Sequence, residues 1–585
     1  MPGSKDFKQL KKFIFALIYV ASVVLSLYYG VQKAGFHEDE YYTYYSTNRS
    51  IGLFQPDREW QERQAVLDEF AVKKGEGFNY GLVKLVQSWD VHPPFYYFIF
   101  HTICSLVPGV FTKWTGIITN LIAFTIAFIS MCLLMERLEV TFWVEILTLV
   151  FWGLNPQTVS ANIFVRMYAW LGAALVVCAY LHVRFLTDFD SLRLDLKELF
   201  IKGFLPIMAV SYVGFLIQYF YIFFFFCIGV ATTAVMVFAR KDIKAGALYV
   251  GSCACSLALA VLTYPSALSH LFGGYRGSDA SGSFFDLGNT WMRLSFFTGL
   301  LNDFVFGGGL VLIAALLFVG TLIKLTRRPK WSLGTESRDH FGGPRGRSQG
   351  SILKNNGSDR IPSKEPKRNV PGDSRNESIR NVPGDSPGDS KRTAIAVLAA
   401  GALGYFLLAS KTALLVGAAS NRYEMPVYGL LILLIFMDAG YILEGVGGSR
   451  MLIYAFAAVC MALILKGLIS DNRVLFLYPE DREKIAYASE NKEEVAVVMF
   501  NPATPQNVWR LTDELLEYPK VYYMDEENTD PLTDPQVTGA SKIILYAADD
   551  DLQEEAFSNL LGSCRNLGTM TKIFTEDMWS TYEVK

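Results

Sequence analysis

The chain has 585 residues, 51% of them hydrophobic and 14% aromatic, with a formal net charge of −3. A mean hydropathy of +0.26 over that length excludes an ordinary soluble globular protein, and the near-neutral charge gives no reason to expect a nucleic-acid partner. Long apolar segments recur along most of the chain, which is the pattern of a polytopic α-helical membrane protein.

The first apolar run, Phe13 to Tyr29, follows Lys5, Lys8, Lys11 and Lys12. It is long for a cleaved signal and ends at no clear small-residue cleavage site. We read it as a retained anchor with the N-terminus in the cytosol. Directly after it comes "FHEDEYYTYYS", residues 36–46, with three acids and a histidine at the mouth of the span. Residues 32–92 then form a long outside loop. Its "DREWQERQAVLDEFAVKK" portion has helical spacing, so short surface helices are expected. The loop closes on "WDVHPPFYY".

Residues 94–110 are apolar but short, and they carry His101. Lys and Arg collect on the cytosolic side of membrane proteins. If 94–110 does not cross, Arg184, Arg193, Lys197, Lys202, Arg240, Lys241 and Lys244 all fall inside, so we expect it to lie in the interface or re-enter. Lys411 and Arg422 then remain outside as exceptions. Spans are expected near 13–31, 114–134, 141–160, 166–184, 204–219, 220–239, 245–264, 304–325, 393–410, 424–442 and 450–469, about eleven in all. The unbroken stretch 203–239 is split near Gln218 and Tyr219. Seven of the eight cysteines lie in apolar segments as small fillers, with Cys564 alone in the tail and no CxxC pair.

The expected domains are 1–326, a transmembrane module carrying the 32–92 loop; 327–392, a linker; 393–469, further transmembrane helices; and 470–585, a soluble unit. The linker has 15 Lys and Arg against 8 Asp and Glu and repeats "RNVPGDS". That composition builds no packed core, so a disordered, basic cytosolic segment is expected, either a solvated spacer or one held near anionic lipid. The tail has 23 Asp and Glu against 10 Lys and Arg. Its strand-like runs "VAVVMF", "VYYM" and "KIILYA" alternate with helical stretches, which predicts a small extracytoplasmic α/β domain.

Polar clusters fall at the outside ends of helices: His37, Glu38, Asp39 and Glu40; Asp90 and His92; Arg166 and Tyr168; Arg422 and Tyr423. Charges at membrane depth are costly and mark function. Carboxylates can take a proton from an attacking hydroxyl, and arginines can hold phosphate. Taken singly, each cluster also reads as a wet loop, a helix start or a snorkelling side chain. The tyrosines at 41, 42, 44 and 45 suit an interfacial wall.

"DE" after the first span and "DVHPP" ending the first outside loop resemble the protein O-mannosyltransferases. The wider group is the GT-C polyprenyl-phosphate-sugar-dependent glycosyltransferases, including the bacterial aminoarabinose lipid A transferases. "VRMYAW" (165–170), "FLIQYFYIFFFF" (215–226) and "RYEMPVY" (422–428) are similar to further elements of bacterial members, in the same order. The resemblance implies a GT-C fold and inverting transfer of a sugar from a polyprenyl-phosphate donor to a hydroxyl acceptor: a cell-envelope glycan, a lipid or a protein. It implies Asp39 as the general base, with Glu40, Asp90 and His92 shaping the site. Arg166, Lys411 and Arg422 are expected at the leaving phosphate on electrostatic grounds, and Tyr168 and Tyr423 beside them at the donor.

"HEDE" offers ligand types for a divalent metal. Adjacent residues rarely converge on one ion, so no cofactor is the favoured expectation, with a divalent metal at this cluster as the lesser alternative. The disordered insert in place of a lumenal domain, and the α/β tail, depart from the eukaryotic protein mannosyltransferases. They favour a bacterial-type enzyme of the plasma membrane. The alternative is a transporter or flippase of an amphipathic lipid-linked anion, although no internal repeat is visible and the large polar first loop is unexpected for one.

Overall fold

The computed structural model describes residues 4–49, 55–326, 387–445, 450–576 and 578–585. The greater part of the expected linker, 327–386, lies outside the described residues. Its last residues are helical, because the next helix already begins at Pro387.

Among the described residues nine helices are long and apolar enough to cross a bilayer. They begin with α1 (Ser4–Gln32). The first loop opens with α2 (Glu38–Asn48), and after the loop come α3 (Phe95–Ser105), α4 (Lys113–Arg137), α5 (Phe142–Gly153), α6 (Pro156–Ile163) and α7 (Tyr168–Leu192). The architecture is a polytopic helical bundle capped by a mixed α/β sheet unit.

Two of the expected spans are not single helices. The run 141–160 breaks between α5 and α6, where Asn155 caps α6 by accepting from Gln157 N and Pro156 occupies the first turn. Proline there has no amide to lose and its fixed φ suits a helix start. Together α5 and α6 run alongside α1 in the same direction: Lys11 pairs with Glu145, Gly153 leaves no room for a Cβ against Ser22, and Asn162 Nδ2 donates to Ser26 Oγ at 3.0 Å. The expected 304–325 span is the second half of a pair, Leu287–Val305 and Leu310–Leu322, bent by 93°. The bend falls at Gly307 and Gly308, whose φ values of 55° and 84° are left-handed. The split near Gln218 is present: one helix ends at Ile217, Gln218 is extended, and the next begins at Tyr221.

The 94–110 segment does not build a span. Its helix α3 has 11 residues, about 16 Å at 1.5 Å per residue, against the roughly 30 Å of a hydrocarbon core. The first loop holds it: His101 Nε2 accepts from Asn79 N at 3.0 Å, and Nδ1 lies 3.2 Å from Asn48 Oδ1.

The sheet order is β1-β3-β2-β4-β6-β5, with β1 (Glu59–Glu62), β2 (Val495–Phe500), β3 (Lys520–Asp525), β4 (Ile543–Ala548), β5 (Met570–Thr575) and β6 (Trp579–Val584). β2 pairs in parallel with β3 and β4, while β6 runs antiparallel to β4 and β5. The central strands are buried on both faces. Val497, Met499 and Leu545 face one core, and Val498, Phe500 and Tyr546 face the other.

The first loop contributes an edge strand to this sheet. β1 pairs antiparallel with β3, Trp60 opposite Tyr522. The expected surface helices of the loop are therefore a strand at 59–62 followed by short helices Arg63–Asp68 and Tyr80–Trp89. This pairing puts the first loop and the 470–585 unit at the same end of the bundle.

Candidate active site

Helix α2 starts the site. His37 caps it, with Nδ1 accepting from Asp39 N at 3.0 Å, while the Glu40 carboxylate accepts from His37 N at 2.7 Å. Side chain and backbone satisfy each other in a capping box. Glu38, Asp39 and Glu40 fill the first turn, where the exposed amides favour negative charge. The run of acids is thus a helix start, and the helix turns neighbouring residues to different sides.

Asp39 turns to the bundle mouth. Its Oδ2 lies 2.6 Å from Arg422 Nη1 and its Oδ1 3.8 Å from Arg166 Nη2. Arg166 Nη1 also donates to the Asp39 carbonyl at 3.2 Å and to Thr43 Oγ1 at 3.0 Å, and lies 3.4 Å from the Tyr97 hydroxyl. His92 Nε2 is 3.2 Å from Arg166 Nη2, and His92 Nδ1 is 3.0 Å from Asp90 Oδ2. A guanidinium can only donate. Nε2 therefore accepts, and Nδ1 carries the proton that it donates to Asp90. Four segments far apart in the chain meet here. Tyr423 and Tyr168 stack edge to face at 5.7 Å behind them, and Arg422 lies 5.2 Å over the Tyr423 ring.

Both arginines are almost fully buried, yet Asp39 is 25% exposed. Arg166 Nε and Arg422 Nε have no hydrogen-bond partner, and the short Arg422–Asp39 contact is not aligned as a hydrogen bond. Buried unsatisfied donors are costly. Here they lie beside a carboxylate that is itself partly exposed, an arrangement that could serve an anion.

Burial would raise the Asp39 carboxyl, but Arg166 and Arg422 outweigh it and hold it well below the usual carboxylate range. Asp90 is brought to about 2, burial again being outweighed, here by His92 and Arg166. Burial lowers His37 to about 4, assisted by Arg422 and Arg166 and opposed by Asp39.

Two expected site residues are placed elsewhere. Glu40 is fully enclosed. One oxygen takes Lys33 Nζ at 2.8 Å and the His37 amide, and the other takes the Val165 amide at 2.7 Å. Its bonds tie α2 to Lys33, just past α1, and to the 165 turn. Lys411 binds the Asp286 carbonyl, Asn289 Oδ1 and, at 2.9 Å, Thr290 Oγ1. It secures that turn and makes no contact with Asp39. Asp90, His92, Arg166, Tyr168, Arg422 and Tyr423 do gather around Asp39.

Sequence reading missed Lys33, Thr43 and Tyr97. The one local signal was a lone lysine just past the first span. Among the described residues no three His, Cys, Asp or Glu side chains converge to hold a metal ion.

No family model matches the chain, and no curated protein does. Among solved structures the chain is similar to ArnT from Cupriavidus metallidurans bound to undecaprenyl phosphate, at 11% identity and a TM-score of 0.43, over 99% of this chain and 98% of that one. It is also similar to the same protein in the apo state, at 10% identity and a TM-score of 0.42, over 97% of each chain.

Proposed function

We propose that the protein is a membrane glycosyltransferase of the GT-C type, moving a sugar from a polyprenyl-phosphate donor to a hydroxyl acceptor with inversion. The observation that carries this reading is Asp39, a quarter exposed, between Arg422 at 2.6 Å and Arg166 at 3.8 Å. One carboxylate and two buried cations with spare donors match a hydroxyl that must lose a proton and a phosphate that must gain charge.

The resting Asp39 is a poor base, because both arginines stabilise its ionised form. A donor phosphate competes for those same arginines. As it takes them, Asp39 loses its cations and gains basicity, so the base is switched on only when donor is bound. Asp39 then removes the acceptor proton, the acceptor oxygen bonds to the anomeric carbon, and the bond from that carbon to the phosphate oxygen breaks. The lipid phosphate leaves with one more negative charge, which Arg166 and Arg422 offset. Asp39 passes its proton to solvent or to the departing phosphate.

The test uses the full chain in lipid nanodiscs with a polyprenyl-phosphate sugar and an acceptor panel. Release of free polyprenyl phosphate, with an inverted linkage in the product by NMR, is the expected result. Movement of intact donor across a bilayer without release of lipid phosphate would contradict it and favour a flippase.

A further inference from the structure

A cavity of about 330 Å³ lies where the start of α2 meets the sheet unit, outside the Asp39–arginine cluster. Its walls include His37 and Glu38 from the first loop, Tyr478 and Glu480 from the connector, and Arg510 and Glu576 from the sheet unit. The connector is held tightly. Asn472, Phe476 and Tyr478 all have left-handed φ, and Phe476 stacks on Phe164 at 3.9 Å. Such strain persists only where the surroundings enforce it.

The charges in this cavity differ from those around Asp39. Arg510 is bound on both nitrogens by Asp481 at 2.8 and 2.7 Å, and Lys484 lies 2.8 Å from Glu576. Both cations of the wall are therefore already matched. Glu38 and Glu480 add two more carboxylates with no further Lys or Arg in the lining. The balance disfavours phosphate or any other anion. It suits a neutral or cationic ligand with many hydroxyls, which can donate to carboxylates and pack on the Tyr478 and Phe36 rings. His37 supplies a donor as well: its Nδ1 accepts from Asp39 N, so the neutral ring carries its proton on Nε2, which has no hydrogen-bond partner among the described residues. The same His37 Nδ1 is 3.8 Å from Asp39 Oδ2. The imidazole thus borders both this cavity and the carboxylate.

We propose that this cavity is the acceptor subsite and that it takes a neutral or amino-sugar pyranoside ring, the acceptor being a glycan. The word acceptor rests on the glycosyltransferase reading; the ligand class rests on the cavity. Donor and acceptor then approach α2 from opposite sides, the phosphate by Arg166 and Arg422, the sugar hydroxyl past His37.

Saturation-transfer NMR on the full chain in nanodiscs tests this with three probes: methyl glucoside, glucosamine and glucuronate. The glucoside and glucosamine give signals, with glucuronate weaker by about tenfold in affinity. Thr575→Trp, which fills the cavity from its exposed rim, removes both signals. Glu480→Lys moves the preference toward glucuronate without relying on the first variant. Absence of signal from all three probes, glucuronate binding most tightly to the unmodified chain, or binding indifferent to both variants would overturn the proposal. Binding is read without donor, so a chain that binds the pyranosides but transfers nothing would sink the glycosyltransferase reading alone.

Discussion

Asp39 and Glu40 are neighbours on one turn of α2, and their surroundings are opposite. Glu40 has no exposure and spends both oxygens on Lys33 and two backbone amides. Asp39 is a quarter exposed and faces two buried guanidiniums whose remaining donors are unmatched. Where a buried charge is fully satisfied, nothing is left for a ligand and the group acts as a strut. Where buried cations keep unpartnered donors beside a partly exposed carboxylate, charge is left that an anion could match. On the proposed reading, one carboxylate serves structure and its neighbour on the helix serves chemistry.

The largest effect expected from this contrast is on turnover. Asp39→Asn should lower transfer by about a thousandfold, the scale of a lost general base, with the protein folded. Because the variant frees both arginines, polyprenyl phosphate should bind at least as tightly as before. Transfer rate and a binding isotherm on one preparation check both halves. Near-normal transfer would remove Asp39 from the mechanism.

Glu40→Gln should act on stability instead. It leaves Lys33 buried without its counter-charge, a loss of about 3–5 kcal/mol, read as a lower thermal midpoint. Adding Lys33→Met should recover most of that loss. A Glu40→Gln protein of normal stability and no activity would break the comparison and return Glu40 to the chemistry. Lys411→Ala should matter least: a few hydrogen bonds to the 286–290 turn, about 1–2 kcal/mol in stability, with transfer changed by less than about twofold.

The gathering of Asp39, Asp90, His92, Arg166 and Arg422 was legible because each falls at the end of a helix or apolar segment, where charges are too costly to be idle. The different fates of Asp39 and Glu40 were not, since the string "DE" does not show that a helix turns them apart. Lys411 carried no local signal either; its partners lie more than 120 residues away. The strand β1 was hidden for a similar reason. "EWQE" has no strand pattern of its own and is extended because β3, some 460 residues later, offers an open edge. The break in 141–160, by contrast, was written in the sequence. Asn155–Pro156 is a cap followed by a first-turn proline, and the apolar run concealed it.

Acid should act on the depressed carboxylates of the cluster. Asp39 and Asp90 both sit below the ordinary aspartate value of about 3.9. Groups depressed on folding stabilise the protein above that value and lose the contribution as pH falls through the folded one. For Asp90 the window closes at about 2, so stability should fall from about pH 4 downward.

The most direct measurement is the protonation midpoint of Asp39 itself. Infrared difference spectra of the unmodified chain and Asp39→Asn isolate its carboxyl band, with and without polyprenyl phosphate. The account predicts that Asp39 stays ionised well below pH 4 in the free protein and that its midpoint rises when the phosphate binds and takes Arg166 and Arg422. A midpoint unmoved by bound phosphate would contradict a base that the donor switches on.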